Sequence, residues 1–292
     1  MAVSNGPHLY HYTDYRGFAG IVESGILWAT NLFFLNDSEE LRHGITRLKE
    51  RLKSRQDWPD ESKPSILADC LDIFEMMTGE SAGASPLEDS IEVHGASFSE
   101  DEDVLSQWRA YCPNGGLAIG FDQRKLHALA EKQGVKLEKS IYDENEQVRK
   151  LDALLDELQH KAQMSDEVAR HQPYDKSRYW RIADEHLWQQ VLPVLPLLKH
   201  RGFSEEKEWR LVSSCFQAGD SLREAEFRLA GGALVPYKEI PLDDELWSDA
   251  RIIISPGPHE RRTKHAIRQL VTRKRCPISV SQIDSSQTPY RS

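Results

Sequence analysis

Short segments typical of β-strands occur in both halves of the chain, and a long helical stretch separates the two groups. Residues 144–198 have apolar positions at helical spacing, with one break near Pro173. We predict an α+β fold, in which one mixed or antiparallel sheet is split by helical insertions. We expect a single domain over residues 1–292 with 144–198 as an insertion, and two separate domains are the alternative. The predicted strands cover residues 9–13, 26–30, 91–99, 117–121, 135–142, 208–213, 226–229, 234–240 and 251–254.

Several predicted helices have recognisable ends. Asp14 or Thr13 can cap a helix over residues 15–24, and Gly25 supplies its C-terminal stop. In the loop 35–37, Asn36 or Asp37 is expected to cap the second helix. A linker of small residues is expected at 78–86. The remaining helical predictions cover residues 39–53, 67–77, 104–111, 125–133 and 262–273.

Composition excludes several classes of protein. With 39% hydrophobic and 29% charged residues over 292 positions, the chain is typical of a globular protein. The apolar run 191–198 is too short and too proline-broken to span a bilayer, and no signal peptide opens the sequence. We therefore expect a cytoplasmic protein with no membrane segment. The four cysteines are scattered without a CxxC pair, which predicts neither a disulfide framework nor a metal site.

The charge of the chain is uneven. The formal net charge is -10, yet residues 261–264 and 273–275 are basic. That segment could bind RNA, a nucleotide phosphate or an acidic partner. The alternative, which we favour at this stage, is a solvated helix face whose cations lie near its C-terminal end, where the helix dipole stabilises them.

A first candidate site lies on the first strand. Alternation along the strand places His11 and Thr13 on one face, on either side of Tyr12. An imidazole and a hydroxyl can both donate and accept hydrogen bonds, which suits the hydroxyl groups of a ribose. The structural alternative is a histidine bonded to the backbone and a threonine that only caps the helix.

Two further segments carry candidate residues. Glu206 and Glu208 share one face at the entry to a late strand, where a carboxylate can stand over a cleft. The alternative there is an exposed edge strand with alternating charges. In the middle of the chain, Trp108 or Tyr111 could stack on a planar ring, close to Ser97 and Ser99 in sequence. The alternative is a core aromatic pair. The chain has no P-loop, GxGxxG, GxSxG or HExxH motif.

These segments together resemble the bacterial family catalogued as domain of unknown function 2971. The resemblance is carried by residues 9–13, 27–29, 35–37, 97–99, 108–111, 116–121, 206–210, 236–237 and 255–258. It covers most of the chain and leaves out the two helical insertions.

The opening of the chain also resembles ADP-ribosyltransferases, including RNA 2'-phosphotransferases and DNA-modifying toxins. His11-Tyr12-Thr13 on a first strand, followed by a helix and Gly25-Ile26, carries this resemblance. It implies an ADP-ribosyltransferase-like fold in which His11 and Thr13 hold the ribose of NAD. It also implies a catalytic glutamate on a late strand, which is Glu208 with Glu206 as its competitor.

The resemblance implies a complete reaction. Loss of nicotinamide from NAD leaves an oxocarbenium-like ribose, which a carboxylate can stabilise while an aromatic ring holds the nicotinamide. The expected ligand set is His11, Tyr12, Thr13, Ser97, Ser99, Trp108, Tyr111 and Arg210, and no metal is required. The acceptor would be a protein, a nucleic acid or a small molecule, in a toxin or phage-defence system with an antitoxin or regulatory partner. The alternative is a non-catalytic module of a defence system that senses a ligand or binds a partner.

Overall fold

The computed structural model describes residues 7–34, 38–55, 67, 70–72, 75, 91–168, 189–216 and 225–289. The strands are β1 (His8–Asp14), β2 (Ile26–Asn31), β3 (Ile91–Ser99), β4 (Gly116–Asp122), β5 (Lys136–Lys139), β6 (Glu208–Phe216), β7 (Glu226–Ala230), β8 (Ala233–Pro241), β9 (Arg251–Ile254) and β10 (Ile283–Ser285). The α-helices are α1 (Tyr15–Ser24), α2 (Ser38–Ser54), α3 (Leu105–Tyr111), α4 (Gln123–Lys132), α5 (Glu144–Val168), α6 (Asp244–Ser248) and α7 (Glu260–Arg273). Short 3-10 helices cover Leu32–Phe34, Leu195–Leu197, Arg201–Glu206 and Val280–Gln282.

Local sequence explains the ends of α1. The Asp14 carboxylate accepts a hydrogen bond from the Gly17 backbone N–H at 2.6 Å, so Asp14 rather than Thr13 is the N-cap. Gly25 ends the helix with a φ of 69°, in the left-handed region where a side chain would be strained. The predictions for this helix are confirmed. The predicted cap in 35–37, the linker at 78–86 and the break at Pro173 lie outside the described residues.

The strands form an open, mixed sheet that is mostly antiparallel, which confirms the predicted α+β class. The described order is β10-β9-β4-β1-β3-β2-β8-β7, and β6 joins β3 to β5. The parallel pair in this sheet is β9 with β10. The predicted strand 135–142 is shorter than expected, because Ser140 and the residues after it leave β5 to meet the start of β6 and residues 197–199.

The sheet splits at β3. One edge of β3 pairs with β6 along its full length, from Ile91 opposite Phe216 to Ser99 opposite Glu208. A strand has two edges, so β1 and β2 must share the other one. β1 reaches it through Tyr10 opposite Ser99, and β2 reaches it near Gly95. Between these two contacts β1 and β2 diverge, and the edge of β3 at residues 96–98 faces the gap.

Helices and loops cover both faces of the sheet. One core contains Leu9, Phe98 and Leu211 and packs against α1, α4 and α7. The other contains Val93 and Val212 and packs against α2, α5 and residues 191–198. A smaller group, built on Tyr10, Tyr12 and Trp108, lies under α3. No helix in the described part of the chain has the length and apolar content needed to cross a bilayer.

Candidate functional site

His11 lies at the gap between β1 and β2. Its Nδ1 is 3.0 Å from the backbone oxygen of Ser97, on the stretch of β3 that faces the gap. A carbonyl oxygen only accepts hydrogen bonds, so Nδ1 carries the proton in this contact. Burial lowers the pKa of His11, although the Ser97 carbonyl acts in the opposite direction. The ring is therefore neutral at pH 7, and its Nε2 presents a lone pair that can accept a hydrogen bond.

Thr13 lies on the same face of β1 as His11, as alternation predicts. A Cβ added at Gly17 would lie 2.2 Å from Thr13 Oγ1, so the hydroxyl packs directly against the first turn of α1. The Thr13 backbone oxygen accepts a hydrogen bond from the Cys112 thiol at 3.3 Å. Thr13 thus connects β1 to α1 and α3, while His11 faces the gap.

Five charged side chains meet at the start of β6, and we name them the Lys199 cluster: Glu40, Lys199, Glu206, Glu208 and Arg210. Lys199 Nζ lies 2.5 Å from Glu206 Oε2 and 2.6 Å from Glu208 Oε2. It also lies 2.7 Å from Glu40 Oε1. Arg210 Nε donates to Glu208 Oε1 at 2.8 Å, and its Nη2 donates to Glu40. Two cations thereby hold three carboxylates in a site that is largely closed to solvent.

Burial and charge act against each other in this cluster. Burial alone would raise the pKa of Glu208, but Arg210 and Lys199 lower it to about 2. Burial raises the pKa of Glu206, although Lys199 acts in the opposite direction. The Glu206 side chain is 23% exposed, whereas that of Glu208 is 6% exposed. Glu208 is therefore a fixed anion inside the protein, and Glu206 stands at the rim of the cluster.

The two halves of the predicted site meet at Ser97. Its backbone oxygen contacts His11, and its side chain is one of the groups that lower the pKa of Glu208. However, Tyr10 lies opposite Ser99 and Ser99 lies opposite Glu208, so Glu208 shares a face with Tyr10. His11 and Thr13 alternate with Tyr10 and project to the other face. The structure therefore places His11 and Thr13 on the face of the sheet opposite to Glu208.

Four other predicted ligand residues have structural roles instead. The Tyr12 hydroxyl donates to Asp101 O at 2.8 Å and accepts from Val104 N at 3.1 Å. Trp108 is buried edge-on against Tyr12 and donates from Nε1 to the Asp103 carboxylate at 2.7 Å. These contacts hold the loop that follows β3. Trp108 is thus a core aromatic that is 2% exposed, which argues against its predicted stacking role.

Ser99 and Arg210 are also turned inward. The Ser99 hydroxyl donates to Glu206 O at 2.8 Å and accepts from Asp101 N at 3.1 Å. Besides its carboxylate partners, Arg210 donates from Nη1 to Pro196 O at 2.7 Å, and it is 2% exposed. These contacts correct the predicted ligand-binding role of both residues. Tyr111 is 40% exposed on α3.

Sequence reasoning missed Glu40 and Lys199. The available signal for Lys199 was a lysine directly after the apolar run 191–198, all of which is buried. Phe203 was also missed: it is 45% exposed, and its ring centre lies 5.4 Å from Lys199 Nζ. It supplies an aromatic face beside the rim of the cluster. Across the described ranges, no group of three histidine, cysteine or acidic side chains is arranged to hold a metal ion.

A separate cavity of about 200 Å³ lies at the far end of β1 and β4. It is lined by Tyr15, by the loop 113–115 and by the segment that leads from β9 into α7. None of the Lys199 cluster residues lines it. Trp108 contributes to its wall. The cavity is small for a dinucleotide, because sites for ligands of that size usually enclose several hundred Å³.

Comparison with known families agrees with the resemblance noted in the sequence. Residues 107–211 match the family described as "Protein of unknown function (DUF2971)", which confirms that resemblance over this part of the chain. The matched segment includes Lys199, Glu206, Glu208 and Arg210, whereas His11 lies before it. No curated protein and no solved structure matches the chain. The family description names no activity.

Proposed function

We propose that the gap between β1 and β2 binds the ribose of NAD and that the chain is an ADP-ribosyltransferase-like enzyme. The observation that carries this proposal is the contact of His11 with the Ser97 backbone, where β1 and β2 leave the edge of β3 unpaired, two residues before the Ser99 hydroxyl that binds the Glu206 backbone. The lone pair on His11 Nε2 can accept a hydrogen bond from a ribose hydroxyl. A carboxylate nearby favours the oxocarbenium-like state that forms when nicotinamide leaves.

Within this proposal the two glutamates have different roles. Glu206 is the carboxylate that can face the ligand, because its side chain is partly exposed at the rim of the cluster. Glu208 is a positioning residue, since Lys199 and Arg210 occupy both of its oxygens. Phe203 offers an exposed ring beside Glu206 for the nicotinamide.

Release of nicotinamide from NAD tests the proposal. We expect Glu206→Gln to lower turnover by about 10²–10⁴-fold with little change in NAD affinity, because it removes a charge that matters in the transition state. Glu205→Gln is the matched control, because Glu205 is exposed and lies outside the cluster; its turnover should equal that of the wild type. His11→Ala should weaken both affinity and turnover, since its contact exists in both states.

Other results would change the assignment. Loss of turnover in Glu208→Gln but not in Glu206→Gln, with both variants folded, would move the reacting carboxylate to Glu208. Equal losses of turnover in Glu205→Gln and Glu206→Gln would show that the position of Glu206 at the rim of the cluster does not matter for the reaction. Wild-type protein that neither binds NAD nor releases nicotinamide would contradict the proposal as a whole.

The second candidate is a non-catalytic module that senses a ligand. It is favoured by the saturation of Glu208, whose two oxygens are already held by Lys199 and Arg210. A buried network of this kind can serve to hold elements in place without any chemistry. Saturable NAD binding by the wild type, with no nicotinamide released over long incubation, would favour this candidate over the enzyme.

A further inference from the structure

Helix α7 carries a basic face. Arg261, Lys264, His265 and Arg268 follow the spacing i, i+3, i+4 and i+7, which places them on one side of a helix. Arg262 flanks them, and the five side chains border one open depression on the surface of the helix. Ile267 and Val271 are buried against the sheet, and Lys264 lies at the border of that buried side. Arg261, Arg262, His265 and Arg268 are exposed to solvent.

Helix stability does not explain this face. Because α7 begins at Glu260, Arg261 and Arg262 lie in its first turn, at the positive end of the helix dipole. The positive end of the dipole disfavours cations. The helix dipole therefore does not explain the cations at residues 261–264, which corrects that part of the interpretation we favoured from the sequence. Arg261 and Arg262 are exposed to solvent, as that interpretation expected. Arg273 alone occupies the last turn, where the dipole favours a cation.

Neighbouring carboxylates do not neutralise the face either. Within the described ranges, the acidic partner of these residues is Asp284, 3.7 Å from Lys264 Nζ and itself 70% exposed. No carboxylate among the described residues lies within ion-pairing distance of Arg261, Arg262 or Arg268. The chain as a whole has a net charge of -10, so this concentration of positive charge runs against its overall balance. Such a patch is suited to an anionic partner.

The composition of the face indicates which anion. None of the exposed large hydrophobic side chains of the described chain lies on α7, so the face lacks the apolar centre of a protein interface or a membrane-binding helix. Guanidinium groups match phosphate oxygens in pairs. Arg261 and Arg268 are about 10 Å apart along the helix axis at 1.5 Å per residue, which spans about three phosphates of one strand. We propose that the basic face of α7 binds the phosphate backbone of a nucleic acid.

The test is a binding titration with a fluorescently labelled DNA oligonucleotide, as a single strand and as a duplex. For the wild type, the logarithm of affinity should fall linearly with the logarithm of salt concentration. In Arg261→Gln/Arg268→Gln, affinity at low salt should fall by about tenfold or more, and the salt slope should shrink by about 2. The matched control is Arg149→Gln/Lys150→Gln, which removes the same charge from exposed positions on α5. It should bind like the wild type.

Three outcomes would overturn the proposal. The first is a wild type that does not bind either oligonucleotide at low salt. The second is an equal loss in the two double variants, which would indicate a response to net charge rather than to this face. The third is labelled poly-glutamate that binds as tightly as DNA with the same loss in Arg261→Gln/Arg268→Gln, which would indicate an acidic protein partner. None of these measurements involves NAD, so the proposal stands or falls independently of NAD cleavage.

Discussion

Lys199 is 2% exposed although it carries a charge, and its three carboxylate partners come from different parts of the chain. A buried ammonium is stable only while those partners compensate for its lost hydration. The same holds in reverse, because the carboxylates need the ammonium. The ion pairs of the Lys199 cluster therefore hold together α2, the 3-10 helix before β6, and β6 itself.

Replacing Lys199 with Met should reveal that dependence. The substitution keeps most of the side-chain volume, but only Arg210 then holds Glu40 and Glu208, and Glu206 loses its ion pair with Lys199. We expect the free energy of unfolding to fall by about 3–5 kcal/mol, as measured by chemical denaturation at pH 7. Lys139→Met is the control, because Lys139 is half exposed and pairs with Glu100 at the surface; it should cost at most about 1 kcal/mol. Equal effects of the two substitutions would show that the cluster contributes little.

At this scale the sequence predicted part of the site. Residue type and spacing indicated His11, Ser97, Glu206 and Glu208. The structure joins His11 to the Ser97 backbone, and it joins Glu206 to Glu208 through Lys199. Nothing local indicated that Glu40 pairs with Arg210, because 170 positions separate them. The inward orientation of Trp108 was equally hidden, since a stacking aromatic and a core aromatic have the same sequence signature.

Helix α2 delivers Glu40 to the cluster by packing closely on the segment 195–197. A Cβ added at Gly44 would lie 2.3 Å from Leu195 O, a backbone atom that cannot rotate away. Gly44→Ala should therefore move the helix or the segment and lower the free energy of unfolding by about 1–3 kcal/mol. Gly20→Ala in α1 is the matched control: its added Cβ meets nothing within 4 Å, so it should stabilise the protein by about 0.5–1 kcal/mol. Denaturant titration of both variants separates the cost of a steric clash at position 44 from the gain in helix propensity that both substitutions share.

The sequence predicted well those helices and strands whose apolar residues recur at a regular spacing. The segments 91–99 and 251–254 coincide with β3 and β9, and the first helix ends where its cap residues indicate. β10 and α6 were missed because they are only three and five residues long, too short for any period to show. The start of α7 was placed two residues late, and with either start Arg261 lies at the N-terminal end of the helix, where the dipole disfavours a cation.

The sheet branches at β3, and this branching determines how the strands of the whole molecule are connected. Alternation of side chains defines a strand but not its neighbours, so the sharing of one edge by β1 and β2 was not visible in the sequence. We expect the amides of β3 to be among the slowest to exchange with deuterium, because β1, β2 and β6 all pair with it. The amides of β7, at the described edge of the sheet, should exchange much faster. Exchange at similar rates would argue against a shared central strand.

The position of β3 in the chain also bears on how the protein emerges from a ribosome. Its two partners on one edge, β1 and β2, are synthesised before it, but β6 follows about a hundred residues later. At about 5–20 residues per second, the second edge of β3 waits for roughly 5–20 s before its complement exists. During that interval an unpaired strand edge with Val93 and Phe98 beside it is open to pairing with other chains. Synthesis speed through α5 and the segment after it thus sets how long the nascent protein is exposed to aggregation.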